Sequence, residues 1–174
     1  MLEDIALMRA LPNMTVIVPA DGVEAAAAVK AAAEYKGPVY IRLGRSKVET
    51  IFDENYKFRI GKGNVVKEGT DVTLFACRIM VETALKAAEI LAIDGINAAV
   101  VNLSTIKPLD TALIVKMAEE TKAAVTCEEH TILGGLGSAV AEVLVENCPI
   151  PVERVGVEDK FGQSGLPDEL LKAY

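Results

Sequence analysis

Apolar runs of strand length alternate along this chain with amphipathic stretches of helical period, a rhythm that predicts an α/β domain. Leu2, Ile5, Ala6 and Met8 fall at helical spacing and predict a short helix that stops before Pro12. Thr15-Val16-Ile17-Val18 is a β-branched run that predicts a buried strand ended by Pro19. Asp21 is placed to cap an alanine-rich helix from Val23 to Tyr35, which Gly37-Pro38 breaks. Val39 to Gly44 reads as the next strand, and Ser46 to Ile60, polar and without a period, reads as a linker.

From Gly61 the alternation is fuller. A hairpin piece near Asn64 to Val66 precedes a strand from Asp71 to Ala76, a helix from Met80 to Ile93 and a strand from Ala98 to Leu103. A helix from Thr111 to Glu120, a strand from Ala123 to Cys127, a helix from Ser138 to Glu146, a strand from Val152 to Val157 and a helix from Pro167 to Leu171 complete the series. Parallel strands need helical crossovers, so the expected fold is a mostly parallel sheet with helices on both faces. The expected division is residues 1–60 and 61–174. The first segment supplies too few strands for a doubly wound domain, reads as the end of a domain whose beginning is absent, and would leave strand edges exposed.

Composition narrows the partners. A hydrophobic fraction of 51% is ample for a buried core, and the net charge of −7, from 25 acidic and 18 basic residues without a basic stripe, argues against nucleic acid and anionic membranes. No stretch reaches the ~20 apolar residues of a membrane helix, and the start Met1-Leu2-Glu3-Asp4 carries no basic targeting region. Cys77, Cys127 and Cys148, without metal spacing, suit a reducing cytoplasm.

The candidate chemistry lies in a few places. Gly134-Gly135-x-Gly137-Ser138 opens a helix, where exposed N–H groups favour a phosphate; alternatively the glycines make a tight turn and Ser138 caps the helix. Glu128, Glu129 and His130 gather at the carboxyl end of a strand, the edge where open α/β sheets bind ligands. His130 has no neighbouring nucleophile or metal partner in sequence, so a polar anchoring role stands beside a catalytic one, and the paired glutamates also suit an intersubunit contact. Arg42 and Arg45 flank the end of the first segment's last strand; a guanidinium there can clamp a phosphate, and composition alone favours surface ion pairing for both. Gly162 and Gly165 precede Pro167-Asp168-Glu169, a helix start signal.

Taken as a set, Leu2-Glu3-Asp4-Ile5-Ala6, Pro19-Ala20-Asp21-Gly22, Gly37 to Arg42, Gly44-Arg45, Asp71-Val72-Thr73, Thr105 to Asp110, Glu128 to Ser138 and Ser164 to Leu171 resemble the carboxy-terminal portion of transketolase over essentially the whole chain. Residues 1–60 resemble the last third of the pyrimidine-binding domain, and 61–174 the transketolase carboxy-terminal domain. The resemblance implies a cytoplasmic enzyme of the pentose phosphate pathway that uses thiamine diphosphate and a divalent metal, Mg, to move a two-carbon ketol unit between sugar phosphates. It implies that cofactor, metal and catalytic residues lie in segments absent from this chain, so that the chain alone is inactive. The implied partners are an amino-terminal transketolase subunit or domain and a second copy in a homodimer.

One site residue carries over from the resemblance. Arg45 matches the arginine that grips the phosphate of the sugar-phosphate substrate. Gly44 stands where several relatives carry serine, and Arg78 stands in a turn where relatives usually have a small residue such as glycine. If that turn needs φ > 0, arginine strains it by ~1 kcal/mol or more and hinders a ligand's approach to the backbone. Three rivals share the pattern: a deoxyxylulose-phosphate synthase, the β-subunit of a 2-oxo acid dehydrogenase, and a stand-alone interaction or regulatory domain.

Overall fold

The computed structural model describes residues 1–44 and 48–174. The first segment contributes α1 (Asp4–Ala10), β1 (Thr15–Ile17), α2 (Gly22–Glu34) and β2 (Val39–Ile41). Then follow β3 (Asn64–Lys67), β4 (Val72–Ala76), α3 (Ile79–Ile93), β5 (Ala98–Asn102), β6 (Thr105–Lys107) and α4 (Thr111–Thr121). The chain closes with β7 (Ala124–Thr131), α5 (Leu136–Asn147), β8 (Val152–Val157) and α6 (Pro167–Ala173).

Five strands form the main sheet in the order β3-β5-β4-β7-β8, parallel throughout except for β3, which runs antiparallel to β5. Alternation along the central strands sorts side chains to two cores, because successive Cβ atoms point to opposite faces. Phe75, Ala99 and Val101 pack with Ile114 and Met117 of α4 and with Leu136, Val140 and Leu144 of α5. Leu74, Ala76, Ala98 and Val100 pack on the other face with Met80, Val81, Ala84 and Ala88 of α3. Each fully buried large apolar side chain contributes roughly 1.5–3 kcal/mol, so helices on both faces follow from strands that are apolar on both. The mostly parallel, two-faced α/β fold expected from the sequence is present. Among the described residues no helix is long and apolar enough to cross a membrane.

A second, three-stranded sheet has the order β2-β1-β6, with β1 parallel to β2 and antiparallel to β6. The exposed edge expected on β1 is therefore closed by a strand from beyond residue 100, a tie that ordering by sequence does not reveal. β6 itself has no strand signal, being short and bounded by Ser104 and Pro108. β3 likewise forms no local hairpin; it finds β5, some thirty residues on. β7 runs on to Thr131 past the expected end at Cys127, with a bulge in its pairing to β8. Glu128, Glu129 and His130, expected at the carboxyl end of this strand, lie within it, and Glu128 and His130 are buried and bonded.

The described part of the expected linker is held by α2. Asp21 caps that helix through Oδ1, which accepts from Glu24 N at 2.8 Å, while Oδ2 accepts from Ile51 N and Phe52 N at 2.7 and 2.9 Å. Glu24, fully buried, accepts from Ala20 N, from the Tyr56 hydroxyl at 2.7 Å and from Asn102 Nδ2 at 3.0 Å. Phe52 and Tyr56 stack with ring centroids 4.0 Å apart. One buried carboxylate thus joins α2, the linker and β5.

Candidate functional site

β4 and β7 are neighbours, and the chain leaves β4 through α3 toward β5 on one side and β7 through α5 toward β8 on the other, so the crevice beyond the carboxyl ends of β4 and β7 is the topological switch point where such sheets bind ligands. Arg78 follows β4, and Glu128 and Glu129 sit near the end of β7. The end of β2 brings Arg42, Leu43 and Gly44 to the same place, where they line a cavity of about 550 Å³ with Asp4, Arg78 and Glu129. A second cavity of about 590 Å³ opens on the far side of Arg78 and Glu129, toward Val155, Leu170 and Tyr174.

Arg42 is not the surface ion pair expected from composition. Its Nε donates to Asp4 Oδ2 at 3.0 Å, its Nη2 donates to the Met1 carbonyl at 3.0 Å, and its side chain is 12% exposed. The Tyr40 hydroxyl donates to the same Asp4 oxygen at 2.7 Å. Burial and then the Asp4 carboxylate push the Tyr40 phenol up from its ordinary value. The pair forms because α1 packs on β1, whose sheet neighbour is β2; nothing local in the sequence joins Asp4 to Arg42. Arg45, the residue expected to meet a substrate phosphate, lies outside the described residues.

Arg78 is the residue that precedes α3, with φ 54° and ψ −138°, a conformation that glycine adopts freely and other residues hold at roughly 1–3 kcal/mol. The strain anticipated for that turn is present. Its guanidinium, 13% exposed, is ion-paired with Glu129, and its buried Nε has no hydrogen-bond partner among the described residues. Burial, with the neighbouring Arg42 charge second, pulls the guanidinium below its ordinary value. The two departures noted in the sequence meet here: a Cβ added at Gly44 would overlap Nη2 of Arg78. The small residue at 44 makes room for the large one at 78.

The glycine turn is structural. Glu128 Oε2 accepts from Leu136 N at 2.7 Å and Oε1 accepts from Gly137 N at 2.8 Å, so an internal carboxylate already occupies the amino end of α5, where a phosphate would sit. A Cβ at Gly135 would overlap Glu128 and His130, which explains the glycine. Ser138 is not the cap: α5 begins at Leu136, and the Ser138 hydroxyl accepts from Gly134 N and donates to the Ile132 carbonyl, bracing the turn. His130, fully buried, accepts through Nε2 from Ile5 N at 3.1 Å and Ala6 N at 3.4 Å, which makes it the anchor of α1. Nδ1 therefore carries the proton and donates to the Thr131 carbonyl at 2.7 Å. Both ring nitrogens are committed to backbone, leaving none to face a substrate.

The donors present do not fit the diphosphate or metal of thiamine diphosphate. The glycine-rich helix start is filled by Glu128, and among the described residues no group of three or more His, Cys, Asp or Glu side chains is placed to hold a metal ion. What the crevice offers is two guanidinium groups, two carboxylates and a phenol.

Known proteins share this chain's pattern in two blocks. Residues 1–50 match the family described as transketolase, pyrimidine binding domain, and residues 61–174 match transketolase, C-terminal domain. The chain is 47% identical over 173 residues to the 6-deoxy-6-sulfo-D-fructose transketolase subunit SqwH of a Clostridium species, covering 99% of this chain and 54% of that protein. It is 40% identical over 176 residues to the 1-deoxy-D-xylulose-5-phosphate synthase of Heliobacterium modesticaldum, covering 99% of this chain and 27% of that one. A solved structure of a split gene transketolase, described as an inactive beta4 tetramer, superposes with a TM-score of 0.97 and 55% identity, covering 99% of this chain and 57% of that chain. The chain spans about half the length of the curated transketolase subunit it matches.

Proposed function

The chain belongs to the transketolase family, and from that premise we propose that it serves as the carboxy-terminal part of an enzyme that transfers a two-carbon ketol unit between sugar phosphates. The observation that carries this reading is the order of the two family matches along one chain, pyrimidine-binding residues first and carboxy-terminal domain second. On this reading residues 1–60 and 61–174 are two units, the first incomplete without an amino-terminal partner chain or domain. Thiamine diphosphate and its divalent metal are held by that partner, and the carbanion chemistry is the cofactor's. This chain supplies the frame of the substrate channel and self-association; the solved relative, described as a beta4 tetramer, supports the latter. Arg45 grips the substrate phosphate through charge-assisted hydrogen bonds.

A second reading, a deoxyxylulose-phosphate synthase, is favoured by the 40% identity to enzymes of that name. One experiment separates the two. The purified chain is mixed with a cofactor-carrying amino-terminal transketolase subunit, thiamine diphosphate binding is followed by calorimetry, and donors are compared. Binding only in the mixture, with turnover of xylulose 5-phosphate, supports the transketolase reading. Turnover of pyruvate with glyceraldehyde 3-phosphate supports the synthase, and tight cofactor binding by the chain alone refutes both. In the active mixture Arg45→Ala raises KM for phosphorylated donors by about tenfold or more, the worth of a charge-assisted contact; an unchanged KM removes Arg45 from the site.

A further inference from the structure

We propose that the cavity beside Gly44 is an oxyanion subsite, in which Arg42 and Arg78 together hold a phosphate-type group and Glu129 is the counter-ion that gives way to it. The subsite is built from Asp4, Tyr40, Arg42, Gly44, Arg78 and Glu129. Two guanidinium groups converge on one carboxylate there: Arg78 is ion-paired with Glu129, and Arg42 Nη1 stands 3.9 Å from the same Glu129 oxygen. That oxygen marks the point where an incoming oxyanion meets both arginines.

The two carboxylates of the cavity are not equivalent. Asp4 is 6% exposed in its side chain and fixed by Arg42 and the Tyr40 hydroxyl, whereas Glu129 is 34% exposed and, among the described residues, is held through its pairing with the two arginines. With Glu129 turned out, Arg42 and Arg78 face Asp4 alone, and the cavity carries one net positive charge. Spare donors are present, since Arg42 uses Nε and Nη2 but not Nη1, and Arg78 Nε is buried without a partner among the described residues. Arg78 also begins α3, whose amino end adds its dipole to the same field.

The backbone supports a use for the side chain. Arg78 occupies a conformation that a glycine would hold without strain, and Gly44 yields its side-chain space to the guanidinium. Neither feature helps the fold by itself. Together they deliver a long cation into the cavity. The subsite does not require Arg45, although Gly44 directly precedes it and the two sites adjoin in sequence.

The test is a calorimetric titration of the full chain with sodium phosphate, at constant ionic strength, on the wild type and three variants. The wild type binds phosphate, Glu129→Gln binds it about tenfold more tightly because the competing charge is gone, and Arg78→Gly binds it at least tenfold more weakly. Each variant is shown by a cooperative thermal melt to be folded before its binding is read. Phosphate binding that is the same in Glu129→Gln and Arg78→Gly as in the wild type overturns the proposal. Loss of binding only in Arg45→Ala also overturns it while sparing the Arg45 reading; loss only in Arg78→Gly supports it and leaves Arg45 to its own test. In the assembled enzyme, a raised KM for sugar phosphate in Arg78→Gly assigns the subsite to the substrate. An unchanged KM with lost sensitivity to free phosphate assigns it to an effector.

Discussion

Arg42 and Asp4 form an ion pair, Nε to Oδ2 at 3.0 Å, in which both side chains are almost wholly withdrawn from solvent. Such a pair contributes little over an apolar replacement, yet removing one partner strands the other charge at about 3–5 kcal/mol. Arg42→Met and Asp4→Leu are therefore each expected to lower stability by about 3 kcal/mol in urea unfolding, and the double variant to recover most of the loss. Fully additive losses in the double variant would mean that the two charges are not coupled.

Glu128 stabilises α5 from below. Both of its oxygens accept backbone N–H groups at the helix start, and the side chain is fully buried. Glu128→Ala is expected to cost about 3 kcal/mol, because two donors are then buried without acceptors. Glu128→Gln does not restore the loss, since its amide turns a donor toward one of them. Gly135→Ala produces a comparable defect by pressing its Cβ into Glu128 and His130. Stability of Glu128→Gln within about 0.5 kcal/mol of wild type would show that the helix start is satisfied in another way.

His130 acts on α1 as Glu128 acts on α5. With Nε2 removed, the N–H groups of Ile5 and Ala6 lose their acceptor. His130→Ala is expected to cost about 1–3 kcal/mol and to speed amide exchange within Asp4–Ala10 ahead of the main sheet. Exchange that accelerates uniformly across the chain would instead place His130 in the global core and not in a helix anchor.

Most of the fold was legible because its helices and central strands are long and periodic, as in α3 and α4, or continuously apolar, as in β4 and β5. What escaped was long-range pairing. β6 joins β1 across some ninety residues, and β3 joins β5, with nothing in either short strand to name its partner. The end of β7 escaped because charge reads as solvent-facing until its partners are known; Glu128 and His130 are charged or polar for the sake of two helix starts. At the crevice, the sequence supplied Arg78 and Gly44 as separate oddities. Only the fold shows that the first fills the space left by the second.

Alkaline pH tests the latch between α2, the linker and β5. Burial first, and then the Glu24 carboxylate, push the Tyr56 phenol well above its ordinary value of 10.0. A phenol raised in the folded state favours folding while protonated in both states, so its contribution is whole below about pH 10 and is lost as pH rises above that. Cys127 acts in the same direction: burial, then Glu128, push its thiol up to about 11 from 9.0, so its share is whole below about pH 9 and fades toward 11. Thermal melts should therefore be level from about pH 7 to 9 and fall steeply above that. Tyr56→Phe lowers the melting temperature at about pH 7, because Glu24 and Asn64 lose a hydrogen-bond partner, but flattens the fall above about pH 10. Cys127→Ala flattens the portion between about pH 9 and 11. If wild type and Tyr56→Phe fall in parallel, the phenol is not held in its protonated form by burial beside Glu24, and the latch is not the alkaline-sensitive element of the fold.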